Sequence, residues 1–302
     1  MNLSQLQSFV ALTDTGSFTE AAYRINLTQS AVSHALAALE SELGVTLLER
    51  TRKGVVALTH AGETIMPHAR ALLASAASIE QEARAARGEA CGKLRLGSIE
   101  SIVAPDLLAS LLTGFQAAYP AIEVVLFEGA MHEVGEWIAQ NIIDVGFVVL
   151  PAKEVEGTLI IADELCVLIA AGHRLHAKNV VTPAELREEG FVLDKTPCTL
   201  SLLKRAGLAL ERNGPRVRYQ ASDSATILAM VREGLGITLM PRMMLPHTLE
   251  GIVALTLDPP SQLPIGLAVK SQKTASRAAK LFIQAALTWT RGQASLPAGA
   301  GA

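Results

Sequence analysis

The sequence predicts an α/β protein with three parts: an N-terminal winged helix-turn-helix, a long connecting helix, and a C-terminal region of alternating strands and helices. Three observations carry this. Residues 1–58 hold three short segments of helical apolar periodicity separated by turn residues, then two short β-like runs. From Thr59, apolar residues recur with four-three spacing as far as Ala86. Beyond the small-residue break Gly88–Gly92, β-branched runs alternate with helical patterns, as expected for parallel sheets with helices on their faces.

In the first segment Leu3, Leu6, Phe9 and Val10 form one apolar face, closed near Thr15-Gly16. Ser17-Phe18-Thr19-Glu20 has the spacing of a capping box, in which the serine hydroxyl takes an orphan amide and the glutamate reaches back. It opens a short helix carrying Ala21, Ala22 and Ile25. After Asn26-Leu27, Thr28 is the expected N-cap of a third helix that buries Val32, Leu36, Leu39 and Leu43 and stops at Gly44. Leu47–Glu49 and Val55–Leu58 read as two strands around the tip Arg52-Lys53-Gly54. This domain spans 1–58.

The helix over 59–88 repeats Ile65, Ala69, Leu72, Ala76, Ile79, Ala83 and Ala86. Such a stripe wants a partner helix, and its alanines allow close approach, so a homodimer through residues 59–87 is expected. Packing of the helix on its own domain is the alternative. Pro67 cannot donate to the Glu63 carbonyl, so a kink is expected there.

Over 92–292 the expected strands are Lys93–Gly97, Ile122–Phe127, Val145–Val149, Leu165–Ala170, Phe191–Leu193, Ile237–Met240 and Ile265–Val269. The expected helices are Pro105–Ala118, Val134–Asn141, Leu200–Glu211, Asp223–Glu233 and Thr274–Thr290. The tail 293–302 ends in Pro-Ala-Gly-Ala-Gly-Ala and is expected to be disordered.

Bulk properties narrow the class. Half the 302 residues are hydrophobic and 4% are aromatic, which excludes a disordered or fibrous chain. Three widely spaced cysteines, Cys91, Cys166 and Cys198, argue against a disulfide framework. The N-terminus lacks a basic and then apolar leader, and no apolar run reaches the length of a membrane span, so a cytoplasmic protein without membrane contact is expected. The net charge of −3 does not by itself suggest nucleic acid. Positive charge is instead concentrated at Arg50, Arg52 and Lys53.

The case for DNA is geometric. A helix, a tight turn and a second helix present the first turn of the second helix outward, where it fits the major groove. Opposite the Val32-Leu36-Leu39 stripe stand Thr28, Gln29, Ser30, Ser33 and His34. Gln29 can read adenine through two hydrogen bonds, Ser30 and Ser33 suit bases or phosphates, and His34 can donate to phosphate or guanine. A merely solvated polar face is the alternative. Arg50, Arg52 and Lys53 form a wing suited to phosphates or the minor groove.

These residues carry a specific resemblance. Leu6-x-x-Phe9, Ser17-Phe18-x-x-Ala21-Ala22, Thr28-Gln29-Ser30-Ala31-Val32-Ser33, Leu39-Glu40, Leu43-Gly44, Leu47-Leu48-x-Arg50 and Leu58-Thr59-x-Ala61-Gly62 resemble the DNA-binding domain of LysR-type transcriptional regulators. Gly92–Gly97, Tyr119-Pro120 and Met230-Val231-x-x-Gly234-Leu235-Gly236-Ile237 resemble that family's effector domain. The resemblance implies that Gln29, Ser30, Ser33 and His34 enter the major groove, with Arg50 on the backbone. His34 stands where many members carry Arg, and Leu48 where Phe is common. It also implies two α/β subdomains like those of a type 2 periplasmic binding protein, I at 92–162 plus 268–292 and II at 163–267. The chain then crosses near Ala162-Asp163 and near Leu267-Ala268.

Ligands of open α/β sheets sit beyond the carboxyl ends of strands, near helix N-termini. Two segments qualify: Ser98-Ile99-Glu100-Ser101-Ile102 and Thr196-Pro197-Cys198-Thr199. The resemblance implies a small-molecule effector in the intervening cleft, with Gly129, Phe147 and Val149 on the opposite wall. Glu100 suits an amine or a polyol, whereas family members bind carboxylates and other metabolites. Ser101 and Thr199 read equally well as helix caps. Cys198 resembles in position the reactive cysteine of the peroxide-sensing branch, but no resolving cysteine follows, and an inert thiol is the expectation.

No enzyme is expected. His173 and His176 lack a third ligand, so no metal is expected, and Gly234-Leu235-Gly236 follows a helix and precedes a strand, the reverse of a dinucleotide fingerprint. No cofactor is implied. The resemblance instead predicts a homotetramer on an inverted-repeat promoter site, where effector binding changes DNA bending.

Overall fold

The computed structural model describes residues 1–50, 56–87, 92–100, 102–195, 197–208 and 216–294. The chain divides into two compact units, one centred on Met1–Ala90 and one taking the chain from Cys91 onward apart from Gln140–Ile142.

In the first unit α1 (Leu3–Thr15), α2 (Phe18–Arg24) and α3 (Gln29–Leu43) precede the antiparallel pair β1 (Leu48–Arg50) and β2 (Val56–Leu58), and α4 (His60–Ala86) follows. Each helix starts on a short polar side chain. Ser17 accepts from the Glu20 amide, and Thr28 Oγ1 accepts from the Ala31 amide at 3.2 Å. The two-way capping box forms on α1, between Asn2 and Gln5. Gly16 and Gly44 close α1 and α3 at φ 65° and 69°, where a side chain would be strained. One core unites the unit: Leu6, Phe9, Leu12, Ala21, Ala22, Val32, Leu36, Leu39 and Leu47 are buried together with Met66 and Ala69 of α4.

That core corrects the reading of the long helix. Ala69 is 1% exposed and Ile65 packs on the same cluster, so the first part of the stripe is used within the chain. Leu72 and Ile79, at 46% and 71% exposed, keep the outward part. The helix continues through Pro67.

In the second unit β3 (Gly92–Ile99), α5 (Pro105–Ala118), β4 (Ile122–Gly129), α6 (Met131–Ala139) and β5 (Val145–Val149) lead to a 15-residue strand, β6 (Glu156–Ala170). Then come β7 (Val180–Val181), α7 (Pro183–Leu186), β8 (Gly190–Asp194), α8 (Pro197–Arg205), β9 (Arg216–Ala221), α9 (Ser224–Arg232), β10 (Thr238–Pro241), a 3-10 turn (Arg242–Met244), β11 (Ile252–Leu257), β12 (Gln262–Val269) and α10 (Arg277–Ala294). The strand order is β4-β3-β5-β12-β6-β11-β7, with β10 also on β6 and with β8 and β9 as a parallel pair.

The expected purely parallel arrangement is corrected. β3 runs parallel to β4 and β5, but β12 is antiparallel to both β5 and β6, and β10 and β11 are antiparallel to β6. β6 is shared: Glu156–Glu164 pairs with β12, and Leu165–Ala170 pairs with β10 and β11. β6 changes partners between Glu164 and Leu165. The return does not fall at Leu267-Ala268, because β12 is already on the first sheet at Gln262, opposite Glu164.

Side-chain size positions the layers around the first sheet. Gly97 and Gly146 admit Val134, Ile138 and Ile143 on one face, where an added Cβ on Gly97 would lie 2.4 Å from Ile143. On α5 and α10, Phe115 meets Phe282 edge-on with centroids 5.2 Å apart. Asp144 locks β3 to the loop before β5 through Arg95, at 2.6 Å from Nη2 and 3.1 Å from Nε.

Candidate nucleic-acid interface and ligand recesses

The first candidate surface is the start of α3. Val32 and Leu39 are fully buried and Leu36 nearly so, which fixes the helix rotation. Thr28, Gln29, Ser30, Ser33 and His34 are all exposed, on the rim away from that core. Thr28 Oγ1 lies 3.1 Å from Ser30 Oγ, so capping and a candidate contact residue are coupled. Among the described residues of this rim there is no lysine or arginine, and the side chains offer hydroxyl, amide and imidazole groups.

Behind the rim, Glu40 and Thr59 seat the wing. Glu40 Oε1 accepts from the Leu47 and Leu48 amides, and Thr59 Oγ1 donates to the Thr46 carbonyl at 2.7 Å. Gly62 is needed at the same joint, since a Cβ there would stand 2.2 Å from the Leu47 carbonyl oxygen. Arg50 ends β1 with its backbone paired to Val56. Arg52 and Lys53 lie outside the described residues. Asp14 clamps the helices: it pairs with Arg24 of α2 at 3.2 Å and with Arg70 of α4.

Two recesses in the second unit are lined by described residues. One, of about 250 Å³, is lined by Ser98, Glu100, Val103, Pro105, Leu108, Ala109, Leu112 and Glu128. The other, of about 30 Å³, lies at the carboxyl ends of β8 and β10 and touches Asp194, Thr199, Ser224, Thr238, Met240 and Met244. It has room for a single polar group. Asp223 already caps α9 by accepting from the Thr226 amide and hydroxyl, bonds that hold its carboxyl below the usual aspartate range.

The structure sorts the expected effector residues. Ser98 and Glu100 line the first recess and Thr199 the second. Ser101 and Thr196 lie outside the described residues, and Cys198 sits in the first turn of α8. Ile102 and Phe147 are fully buried and Val149 is 5% exposed, and neither recess is lined by them. Gly129 is taken up by packing, because a Cβ there would lie 2.5 Å from the Trp137 ring. Sequence reasoning missed Glu128, Asp194, Ser224 and Thr238. Thr238 carried a legible signal, as a hydroxyl inside an otherwise apolar strand.

Two further features bear on chemistry. Cys166 is buried, its thiol donates to the Met240 carbonyl, and burial pushes its pKa up to about 12. Asp163, where β6 leaves the first sheet, accepts from the Met243 amide at 3.1 Å, and burial raises its carboxyl. Beside it Arg242 bonds Glu164 at 2.7 Å and the Thr256 hydroxyl at 3.1 Å. His173 pairs with Glu189, and among the described residues no group of three His, Cys, Asp or Glu side chains is placed to hold a metal. No described helix is long and apolar enough to cross a membrane.

Comparisons with known proteins agree with this architecture. A family model described as the LysR substrate binding domain matches residues 87–291, and one described as the bacterial regulatory helix-turn-helix protein, lysR family, matches residues 3–63. The uncharacterized HTH-type transcriptional regulator YvbU of Bacillus subtilis is 34% identical over 292 residues, covering 95% of this chain and 98% of that one. The probable regulator LrrA of Synechococcus elongatus is 34% identical over 272 residues, 89% of this chain and 90% of its own. Among solved structures, a full-length OxyR variant from Pseudomonas aeruginosa superimposes with a TM-score of 0.78 at 23% identity, over 95% of this chain and 94% of that one, a likeness of fold.

Proposed function

Because this chain belongs to the LysR family of DNA-binding transcriptional regulators, we propose that it is a sequence-specific regulator switched by a small molecule held in its C-terminal unit. The observation that carries the DNA half is the exposed rim Thr28, Gln29, Ser30, Ser33 and His34 on a helix whose opposite side is locked in the core. Gln29 reads base edges, while Arg50 and the wing residues Arg52 and Lys53 hold the backbone. Contacts to phosphate fix register without reading sequence.

The ligand half is supported by polar groups gathered at strand ends on both sides of the shared strand β6. Thr238 is 2% exposed yet borders the second recess, as Ser98 does the first. The protein acts in the cytoplasm, where its promoter is, as a dimer through the outward part of α4 and as a tetramer on an inverted repeat. Bending a site costs only a few kcal/mol, so modest differential affinity of the ligand for two assemblies suffices to switch it.

Gel-shift titration against salt tests the DNA half. Arg50→Ala is expected to weaken all sequences and lower the salt slope, and Gln29→Ala chiefly to relax sequence preference. Equal loss on specific and random DNA for Gln29→Ala removes it from the readers. For the ligand half, Thr238→Val is expected to leave DNA binding intact and abolish the response of a reporter gene; an unchanged response rejects this recess.

A further inference from the structure

We infer that the larger recess, at the end of β3 under α5, selects a small organic cation: an ammonium or guanidinium group on an apolar body. The inference deepens the reading above, on which it rests, for one of its two recesses. Ser98 and Glu128 are register partners on the parallel strands β3 and β4, so they end side by side, and Glu100 stands two residues after Ser98, in the turn that follows β3. Successive strand residues point to opposite faces. Gly97 faces Val134 and Ile143, so Ser98 faces α5, the side of the recess.

Ser98 is 2% exposed, and its hydroxyl has no hydrogen-bond partner among the described residues. Its oxygen opens onto the recess rather than being sealed in protein, so a ligand N–H donor there takes the place of solvent. Glu100 and Glu128 are exposed at the rim, and among the described residues neither has an ion-pair or hydrogen-bond partner. Nearby, Glu133 already takes the Ala130 amide, whereas the Lys93–Glu123 ion pair lies at the opposite, amino ends of β3 and β4. Two acidic groups and one free hydroxyl around a single opening favour a positive guest and oppose a carboxylate.

The floor is apolar. Val103 and Leu108 are buried beneath Pro105, Ala109 and Leu112. A volume of about 250 Å³ suits roughly eight to ten non-hydrogen atoms, given about 30 Å³ for each water-sized group. The guest is therefore an amphipathic monocation with a short alkyl or aryl body, its charged end toward Glu100, Glu128 and Ser98.

Calorimetric titration of the full chain with n-hexylamine, hexanoate and hexanol at low and high salt tests this. Hexylamine is expected to bind one-to-one and to weaken with salt, and hexanoate to give no saturable heat. Glu100→Gln and Glu128→Gln are each expected to weaken hexylamine about threefold to fivefold, and together about tenfold or more, as exposed charge contacts do. Ser98→Ala, small enough to keep the fold, adds a loss of about threefold. Hexanoate binding as tightly as hexylamine, no saturable heat from hexylamine, or unchanged affinity in the double glutamine variant overturns the inference. Hexylamine that binds as expected yet leaves DNA affinity untouched upholds the cation site and counts against the regulatory reading.

Discussion

Glu40 Oε1 lies 2.7 Å from the Leu47 amide and 3.2 Å from that of Leu48, so one carboxylate on α3 holds the start of β1. The turn after α3 leaves those two amides without a strand partner, and a side chain seven residues back supplies the acceptor. Glu40 thus acts with Thr59 and Gly62 to fix the spacing between α3 and the β1–β2 pair. Glu40→Ala is expected to lower the stability of the first unit by about 1–3 kcal/mol, because two part-buried amides lose their acceptor. Affinity for DNA should fall at all sequences together. Chemical denaturation and gel shifts on one preparation check both; full stability with weakened DNA binding would place Glu40 at the DNA instead.

The two halves of the α4 stripe should separate by mutation. Ala69 sits in the core of the first unit, where a larger side chain has no room, whereas Ile79 is 71% exposed. Ile79→Glu is expected to leave the melting temperature of the monomeric unit within a few degrees while shifting mass toward monomer in light scattering. Ala69→Leu should do the reverse, costing about 1–3 kcal/mol by overpacking. A dimer that survives Ile79→Glu and Leu72→Glu together moves the interface off this helix.

This division also shows what the sequence made legible. Caps, stops and apolar spacing placed α3 from Thr28 to Gly44, and α5 from Pro105 to Ala118, because those signals are local. A period-seven stripe, in contrast, records only that a face is apolar and not what covers it; Ile65 and Ala69 met their own domain first. β9 alternates Val217, Tyr219 and Ala221 with Arg216, Arg218 and Gln220, a strand signal that sequence reasoning overlooked, and the first half of β6 was missed because Glu156, Gly157 and Thr158 read as a turn. The exposed rim of α3 was legible for the same reason as α3 itself. The recesses were only half so, because Glu128 and Thr238 join them through strand pairing distant in sequence.

Asp163 should make stability depend on pH at the crossing between sheets. Burial raises its carboxyl above 3.8, so the folded state holds the proton more tightly than the unfolded one does. Its contribution is then fully present below the unfolded value and is lost as pH rises through the folded one, which makes it unfavourable at neutral pH. Asp163→Asn keeps an acceptor for the Met243 amide without the desolvated charge. It is expected to raise the melting temperature at pH 7 and to change it little at pH 3, by scanning calorimetry. A lower melting temperature at pH 7 would mean that attraction to Arg242 outweighs burial.

Cys166 is the counterpart at alkaline pH. Its thiol is buried on β6, donates to the Met240 carbonyl, and titrates at about 12 against 9.0 in the open chain. Between those values the unfolded chain has released a proton that the folded chain still holds, so stability should fall as pH rises, by at most about 1.4 kcal/mol per unit from this group. Only the thiolate attacks an alkylating reagent. At pH 8 iodoacetamide should therefore leave Cys166 unmodified in the native protein and modify it fully in denaturant, as read by peptide mass spectrometry. Cys166→Ala should remove this part of the alkaline destabilisation while costing stability at pH 7 through the small cavity left behind. Rapid native labelling of Cys166 would show that β6 opens where the two sheets share it, and the crossing strand would then be a moving part rather than a fixed frame.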